Sequence, residues 1–461
     1  MNDTIAAICT ALSPSGIGII RISGPSSISI ADKIFRTPKG TTLSESPSHT
    51  IHYGHIYDKD VIIDEVLVLL MKAPKSYTTE DVVEIDCHGG LYVLNKVLNL
   101  CLLNGCRIAE PGEFTKRAFL NGRMDLTEAE AVMDLISAKG ELARKNSVSV
   151  LNGYIYERIK SIREEVLYII ARIEAALDDP EHMSLEGYEE EIREKITDIR
   201  GRISSLINSY ENGRLVNEGI KTAIVGKPNV GKSSLLNMLL NENRAIVTQI
   251  PGTTRDTLEE TVIFGGISLN LIDTAGIHDT FDSVEKIGIQ RSEEAIKKAD
   301  LVIFIVDSSR DVTQEDDHII SLIEGKKVIC IMNKCDLPEE ISIMEFKSHF
   351  ENYEEKPIYI KASAYTGQGR DEIIKAIEDM FYEGKIDFND EVFLSNVRQK
   401  NCLCDADSSL LKVLDSIDAD MPEDFLSIDL MSAYSSLGEI IGEEVNDDLV
   451  DKIFSEFCMG K

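Results

Sequence analysis

Eight consecutive residues, Gly226-Lys227-Pro228-Asn229-Val230-Gly231-Lys232-Ser233, have the types and spacing that grip a row of phosphates. Glycines let backbone N–H groups turn toward phosphate oxygens, and a helix that starts just behind them adds the positive end of its dipole. In such a loop Lys232 neutralises charge on the β- and γ-phosphates and Ser233 offers its hydroxyl to Mg²⁺. The expected contacts run from Asn229 and Val230 through Gly231, Lys232 and Ser233 to Ser234.

Three further motifs follow in order. In Asp273-Thr274-Ala275-Gly276 the carboxylate can hold Mg²⁺ through water and the Gly276 N–H can meet the γ-phosphate. In Asn333-Lys334-Cys335-Asp336 the carboxylate of Asp336 can accept from guanine N1–H and its N2 amine, which adenine cannot offer. A polar site left without its partners rejects the wrong base strongly. Ser363-Ala364 would bring a backbone N–H to guanine O6. The order and spacing of the four motifs predict a GTP-binding domain.

Catalysis needs its own argument. Many GTPases orient the attacking water with a Gln just after the Asp-Thr-Ala-Gly run, where this chain has the aliphatic Ile277. Either hydrolysis is very slow or another group handles the water. Asn229 in the phosphate loop, with Thr248-Gln249-Ile250-Pro251-Gly252-Thr253-Thr254 as switch I, resembles GTPases that place a potassium ion beside the phosphates. Such an ion supplies charge that an arginine finger supplies elsewhere. Asn229 bracing its own loop is the plainer alternative.

The elements that position these motifs are legible from periodicity. From about 218 to 382, apolar runs at Ile220–Val225, Ser268–Ile272, Leu301–Val306, Lys327–Met332 and Pro357–Ile360 predict strands alternating with helices. On either side, residues 126–217 and 383–461 read as helical. Ile155, Ile159, Ile162, Val166, Ile169 and Ile173, then Ile192, Ile196, Ile199, Ile203 and Leu206, recur at helical spacing across a break at Asp178-Asp179-Pro180. Thr127 with Glu130 predicts a capping box before the first of these helices. The α/β unit is therefore expected to be inserted into a helical domain. Residues 1–125 read as a separate mixed α/β domain, with strands at Gly18–Ile22 and Val66–Met71 and a helix from Leu91 to Leu103.

The chain has 461 residues, of which 80 are acidic and 48 basic, for a net charge of -32. That size and an apolar fraction of 43 % exclude disordered and collagen-like classes. No apolar run has the ~18 residues a membrane span needs, and the N-terminus reads as lacking a signal peptide. Nine scattered cysteines without a CxxC pair point to a reducing compartment. The acidity opposes a direct grip on nucleic acid. Residues 1–125, with 14 acidic and 12 basic side chains, carry almost none of it.

Beyond the nucleotide motifs, Arg21-Ile22-Ser23-Gly24, Ser76-Tyr77-Thr78-Thr79-Glu80-Asp81 with Glu84 and His88-Gly89-Gly90, and Pro111 through Arg123 resemble the MnmE (TrmE) family of tRNA-modification GTPases. So do Thr253-Thr254-Arg255-Asp256, Val284 through Ile289, Leu437-Gly438-Glu439-Ile440 and the terminal Phe457-Cys458-Met459-Gly460-Lys461. The resemblance spans essentially the whole chain. It implies a multidomain α/β plus all-α protein: an N-terminal α/β folate-binding and dimerisation domain, a helical domain, and an inserted P-loop GTPase domain with a Ras-like doubly wound sheet.

It also implies roles. Arg21, Glu84, Arg123 and Lys461 fall on positions that bind a 5-formyl- or 5,10-methylene-tetrahydrofolate. Potassium is implied at Asn229, Thr253 and the backbone of Thr248 and Ile250, and Mg²⁺ at Ser233 and Thr254. Glu285 falls on the catalytic glutamate that orients water, and Cys458 lies beside the folate site, either as a chemical group or as a small buried residue. Partners implied are a second copy of the chain, an FAD-carrying protein, MnmG (GidA), in a heterotetramer, and tRNA held mainly by that protein. The reaction is addition of a (carboxymethyl)aminomethyl group at C5 of the wobble uridine (position 34) of certain tRNAs, in the cytoplasm and without a membrane. The chain departs from the family pattern at His278 for the usual Arg, Thr79 for the usual Gly and Ile441 for the usual Thr.

Two other readings compete. A ribosome-assembly GTPase of the Era or Der kind shares the motifs but would add a KH-type module or a second phosphate loop, and the sequence has neither. A non-catalytic folate scaffold fits residues 1–125 but leaves the nucleotide motifs unexplained.

Overall fold

The computed structural model describes residues 3–178, 188–240, 260–264, 267–272, 293–382, 392–419 and 421–460. They form two compact units, one of residues 1–133, 150–196 and 405–461, the other of 134–149 and 197–404.

In the first unit, β1 (Ile5–Ile8), β2 (Ser15–Ser23), β3 (Phe35–Arg36), β4 (Thr50–Asp58), β5 (Val61–Met71), β6 (Val82–Gly89) and β7 (Arg107–Ile108) form a seven-stranded sheet of order β3-β4-β5-β6-β2-β1-β7. All neighbours are antiparallel except β1 and β7. Side chains alternate across a strand. Ile20, Ile22, Val68, Leu70, Val83 and Ile85 are therefore buried on one face, under α1 (Ser27–Ile34) and α2 (Leu91–Leu103). Arg21 and Glu84, directly paired in register, belong to the other face. Helix α3 (Glu113–Leu120) follows β7, and α4 (Leu126–Ser137) begins the helical part.

The start of α4 corrects the expected cap. Thr127 lies inside the helix and is fully buried. Asp125 Oδ1 instead accepts from the Thr127 N–H at 2.6 Å and the Glu128 N–H at 3.3 Å, while Glu128 Oε2 accepts from the Asp125 N–H at 2.9 Å. The box is Asp125 with Glu128, because a carboxylate at Asp125 can take several orphan N–H groups at once. Helix α6 (Tyr154–Asp178) buries the expected isoleucine stripe. Helix Glu423–Ile441 packs on α6. Helix Asp447–Ser455 places Phe454 in a cluster with Leu126, Ala129 and Val450.

In the second unit, after α5 (Glu141–Leu151) and the C-terminal part of α7 (Tyr188–Glu218), β8 (Ile220–Val225), β9 (Glu260–Phe264), β10 (Ile267–Leu271), β11 (Leu301–Asp307), β12 (Lys327–Asn333) and β13 (Ile358–Lys361) form a six-stranded sheet of order β13-β12-β11-β8-β10-β9. Only β9 runs antiparallel to its neighbour. All seven residues of β11 are buried, as expected for a central parallel strand covered on both faces. Leu301, Ile303 and Ile305 join one core, and Val302, Phe304 and Val306 the other. This is the Ras-like doubly wound sheet.

Candidate functional site: a nucleotide cleft and an arginine pocket

The described nucleotide motifs gather at the C-terminal ends of β8, β12 and β13, beside that of β11, where a doubly wound sheet places ligands. The phosphate loop leaves β8, and α8 (Lys232–Leu240) starts at its lysine. Asn229 sits in the left-handed region at φ 64°, a conformation Asn tolerates better than most residues. A Cβ on Gly231 would stand 2.3 Å from the side-chain amide of Asn333, so only glycine fits. Lys232 Nζ donates to the Gly226 carbonyl at 2.5 Å and the Lys227 carbonyl at 3.3 Å. Burial pushes its ammonium below the ordinary 10.5.

Asn333 is the hub of the cleft. Its amide donates to the Val230 carbonyl at 2.7 Å, and its Oδ1 accepts from the Ala364 N–H at 3.1 Å. The Ala364 N–H expected to face guanine O6 is thus engaged by the motif asparagine, and a base has to share or replace that bond. Asp336 Oδ1 accepts from the Ser363 hydroxyl at 2.6 Å, which aims the carboxylate. Lys334, at φ 63°, donates to Asp307 Oδ2 at 2.7 Å. Burial alone would raise the Asp307 carboxyl, but its bonds from Lys334 and Ser309 outweigh that and hold it below the ordinary carboxylate value.

Asn229, Val230, Gly231, Lys232, Ser233, Ser234, Asn333, Lys334, Asp336, Ser363 and Ala364 are therefore all on one cleft. Thr248, Gln249, Ile250, Pro251, Gly252, Thr253, Thr254, Asp273, Thr274, Ala275, Gly276, Ile277, His278 and Glu285 lie outside the described residues. Sequence reasoning missed Asp307 and Asp316, which brace this cleft. The signal for Asp316 was present as a Thr313-x-x-Asp316 capping box at the start of helix Gln314–Leu322.

On the other face of the first sheet, Arg21 and Glu84 form a half-buried ion pair. Arg21 Nε donates to Glu84 Oε1 at 2.7 Å, and its guanidinium lies 5.1 Å from the Tyr77 ring and 5.4 Å from that of Phe114. Arg123 lies 4.7 Å over Tyr77 and donates to its carbonyl at 2.6 Å. Arg21 Nη1 is buried without a hydrogen-bond partner among the described residues. Such an orphan donor calls for an acceptor from a ligand or water. Lys461 lies outside the described residues, and Cys458 is exposed rather than a small buried residue.

Below this pocket a buried network holds the Ser76–Asp81 loop. Ser23 bonds to Thr78 at 2.6 Å and Glu80 at 2.7 Å. Arg117, only 1 % exposed, donates to Glu80 at 3.1 Å, Glu113 at 2.9 Å and Asp3 at 2.9 Å. Thr79, in place of the usual glycine, adopts φ 62°. The requirement for a left-handed backbone explains why glycine is usual there.

No helix among the described residues is long and apolar enough to cross a membrane. The chain matches the family model "GTP-binding protein TrmE N-terminus" over residues 4–123 and "MnmE helical domain" over 126–458. It is 54 % identical to the tRNA modification GTPase MnmE of Lachnoclostridium phytofermentans over the full length of both chains. It is 45 % identical to the protein of that name from Bacillus subtilis, again over 100 % of each. The G domain of the T. maritima FeoB iron transporter is similar over 35 % of this chain and 97 % of that one, at 28 % identity and a TM-score of 0.26. With a guanine-nucleotide cleft and full-length likeness of this extent, the chain belongs to the MnmE (TrmE) family of tRNA-modification GTPases and is a GTP hydrolase.

Proposed function

We propose that this protein is a potassium-activated GTPase that works in the cytoplasm as a homodimer with an FAD-carrying MnmG (GidA) partner. Together they add a (carboxymethyl)aminomethyl group at C5 of the wobble uridine (position 34) of certain tRNAs. The observation that carries the reading is the coexistence, on one chain, of a guanine-nucleotide cleft and the Arg21 pocket with its orphan donor.

The Arg21 pocket suits a tetrahydrofolate. Aromatic rings at Tyr77 and Phe114 offer flat apolar surface, Glu84 can accept from pterin N–H groups, and Arg21, Arg123 and Lys461 suit carboxylates. The bound cofactor would supply the one-carbon unit, while the chain orients it and shields it from water. In the nucleotide cleft Lys232 neutralises phosphate charge, Asp336 reads the guanine edge, and Glu285 orients the attacking water. Ser233 and Thr254 would hold Mg²⁺, which screens the phosphate charge. Asn229, Thr253 and the carbonyls of Thr248 and Ile250 are neutral oxygen donors that fit K⁺, which would add transition-state charge stabilisation.

Support for the homodimer comes from one face of the β4–β5 hairpin of the first sheet, which exposes Ile51, Tyr53 and Leu67 side by side. Support for tRNA contact mainly through the partner comes from the net charge of -32. The test is twofold. GTP turnover in KCl should exceed that in NaCl and should collapse in Glu285→Ala. Wobble uridines of tRNA from cells lacking the gene should lose the modification by mass spectrometry. Equal rates in the two salts would defeat the potassium mechanism, and an unchanged tRNA profile would defeat the assigned reaction.

A further inference from the structure

The segment from the end of β11 into helix Gln314–Leu322 touches the nucleotide cleft from outside at two places. One is the Asp307–Lys334 pair described above. At the other, Lys227 Nζ pairs with Asp316 Oδ2 at 2.5 Å and donates to the Thr313 hydroxyl at 3.0 Å. We infer that Asp316, acting through Lys227, is a positioning residue that holds the phosphate loop in its nucleotide-binding shape.

Asp316 is fully buried, at 0 % exposure. Its Oδ2 also accepts from the Thr313 N–H at 2.9 Å and the Thr313 hydroxyl at 3.3 Å, and its Oδ1 has no partner among the described residues. A carboxylate taken this far from water is kept only where paired, and the Lys227 ammonium is the charge that pairs it. That use of Lys227 is informative. A lysine in a phosphate loop would ordinarily be read as a phosphate ligand, but this one spends its charge on the helix behind the loop.

The backbone it anchors is the part that needs restraint. The Lys227 carbonyl accepts from Lys232, and Gly226 at φ 151° and Asn229 at φ 64° flank it in left-handed conformations, one among several that glycine and asparagine can take. A loop already fixed in shape loses less freedom when it closes on phosphates. The strut is made before and after the chemical step alike, so it bears on nucleotide affinity and not on the barrier to hydrolysis.

The experiment uses the full chain. GDP affinity is measured with a fluorescent GDP analogue, GTP turnover gives KM and kcat, and thermal melting reports the fold. Asp316→Asn and Lys227→Met should each weaken GDP binding about tenfold, with kcat at saturating GTP reduced far less. Lys227→Arg should restore affinity to within about twofold of the unaltered protein, since the ion pair survives. Lys227→Met/Asp316→Asn should bind no more weakly than the weaker single variant, because one interaction is lost and not two. It removes both charges, so it reads the proposal even if a single variant leaves a buried charge and fails to fold. Unchanged GDP affinity in the double variant, losses that simply multiply, or a fall in kcat with affinity intact would each overturn it.

Discussion

The side chain of Asn333 and the main chain of Val230 are joined by a 2.7 Å hydrogen bond, across 103 positions of sequence. This bond ties the guanine-reading motif to the phosphate loop. Asn333 also accepts from Ala364, so one side chain unites three of the four nucleotide motifs.

Replacing it should therefore disturb the whole cleft. Asn333→Ala leaves the Val230 carbonyl and the Ala364 N–H without their partner, a loss of about 1–3 kcal/mol. The expected outcome is GDP binding weakened by roughly 5- to 150-fold, measured by titration with a fluorescent GDP analogue. Affinity within twofold of the parent would show that the bond does not organise the cleft.

Lys232 makes a pH prediction. Its ammonium is held below 10.5 by burial. Nucleotide phosphates favour the charged form and raise that value in the complex. Affinity is then full below the free-protein pKa and declines as pH rises through the pKa of the complex. Calorimetry at alkaline pH, in buffers of different ionisation enthalpy, should show proton uptake on GDP binding. Buffer-independent heats would count against it.

Thr79 is a β-branched residue at φ 62°. The left-handed conformation costs such a side chain about 1–2 kcal/mol, while glycine adopts it freely at some cost in chain entropy. Thr79→Gly should raise stability by about 1 kcal/mol in denaturant unfolding followed by signals from the first unit. A decrease would mean that the threonine makes a compensating contact.

Arg117 is the hub of the buried charges in the same unit. Arg117→Met removes the cation paired with Glu80 and one of the two paired with Glu113, whose other partner is Arg107, and should cost about 3–5 kcal/mol. Burial alone would raise the Glu113 carboxyl, but Arg107, the Glu110 N–H and Arg117 outweigh it and hold it below the ordinary 4.5. A depressed carboxylate contributes stability above its unfolded pKa and loses it as pH falls through the folded value. The gap between the parent and Arg117→Met should therefore be widest near neutral pH and narrow as pH falls below 4.5 and through the lowered folded value. A gap independent of pH would assign the loss to packing alone.

Local pattern carried a great deal. The helix predicted from Leu91 to Leu103 and the strand from Ile220 to Val225 have those bounds, and the isoleucine stripe of α6 is buried throughout. Motif types and spacing placed the phosphate loop and the guanine reader, because each motif is a few consecutive residues on one strand–loop junction. The near-continuous burial of β11 and β12 follows from continuous apolar runs, which suit a parallel sheet covered on both faces.

What the sequence left open was which distant residues meet. Thr127 was favoured as a cap from its spacing to Glu130, yet Asp125 performs it, because a cap depends on where the chain enters the helix. Lys227 has no assigned role in the sequence motif, and only the packing of β11 beside β8 brings Asp316 to its side chain. Arg21 and Glu84 stand 63 residues apart and face each other because β2 and β6 pair in that register. Helix periodicity and motif chemistry are short-range properties written along the chain. Ion pairs, orphan donors and buried hubs depend on strand order and register, which the burial of the whole core decides.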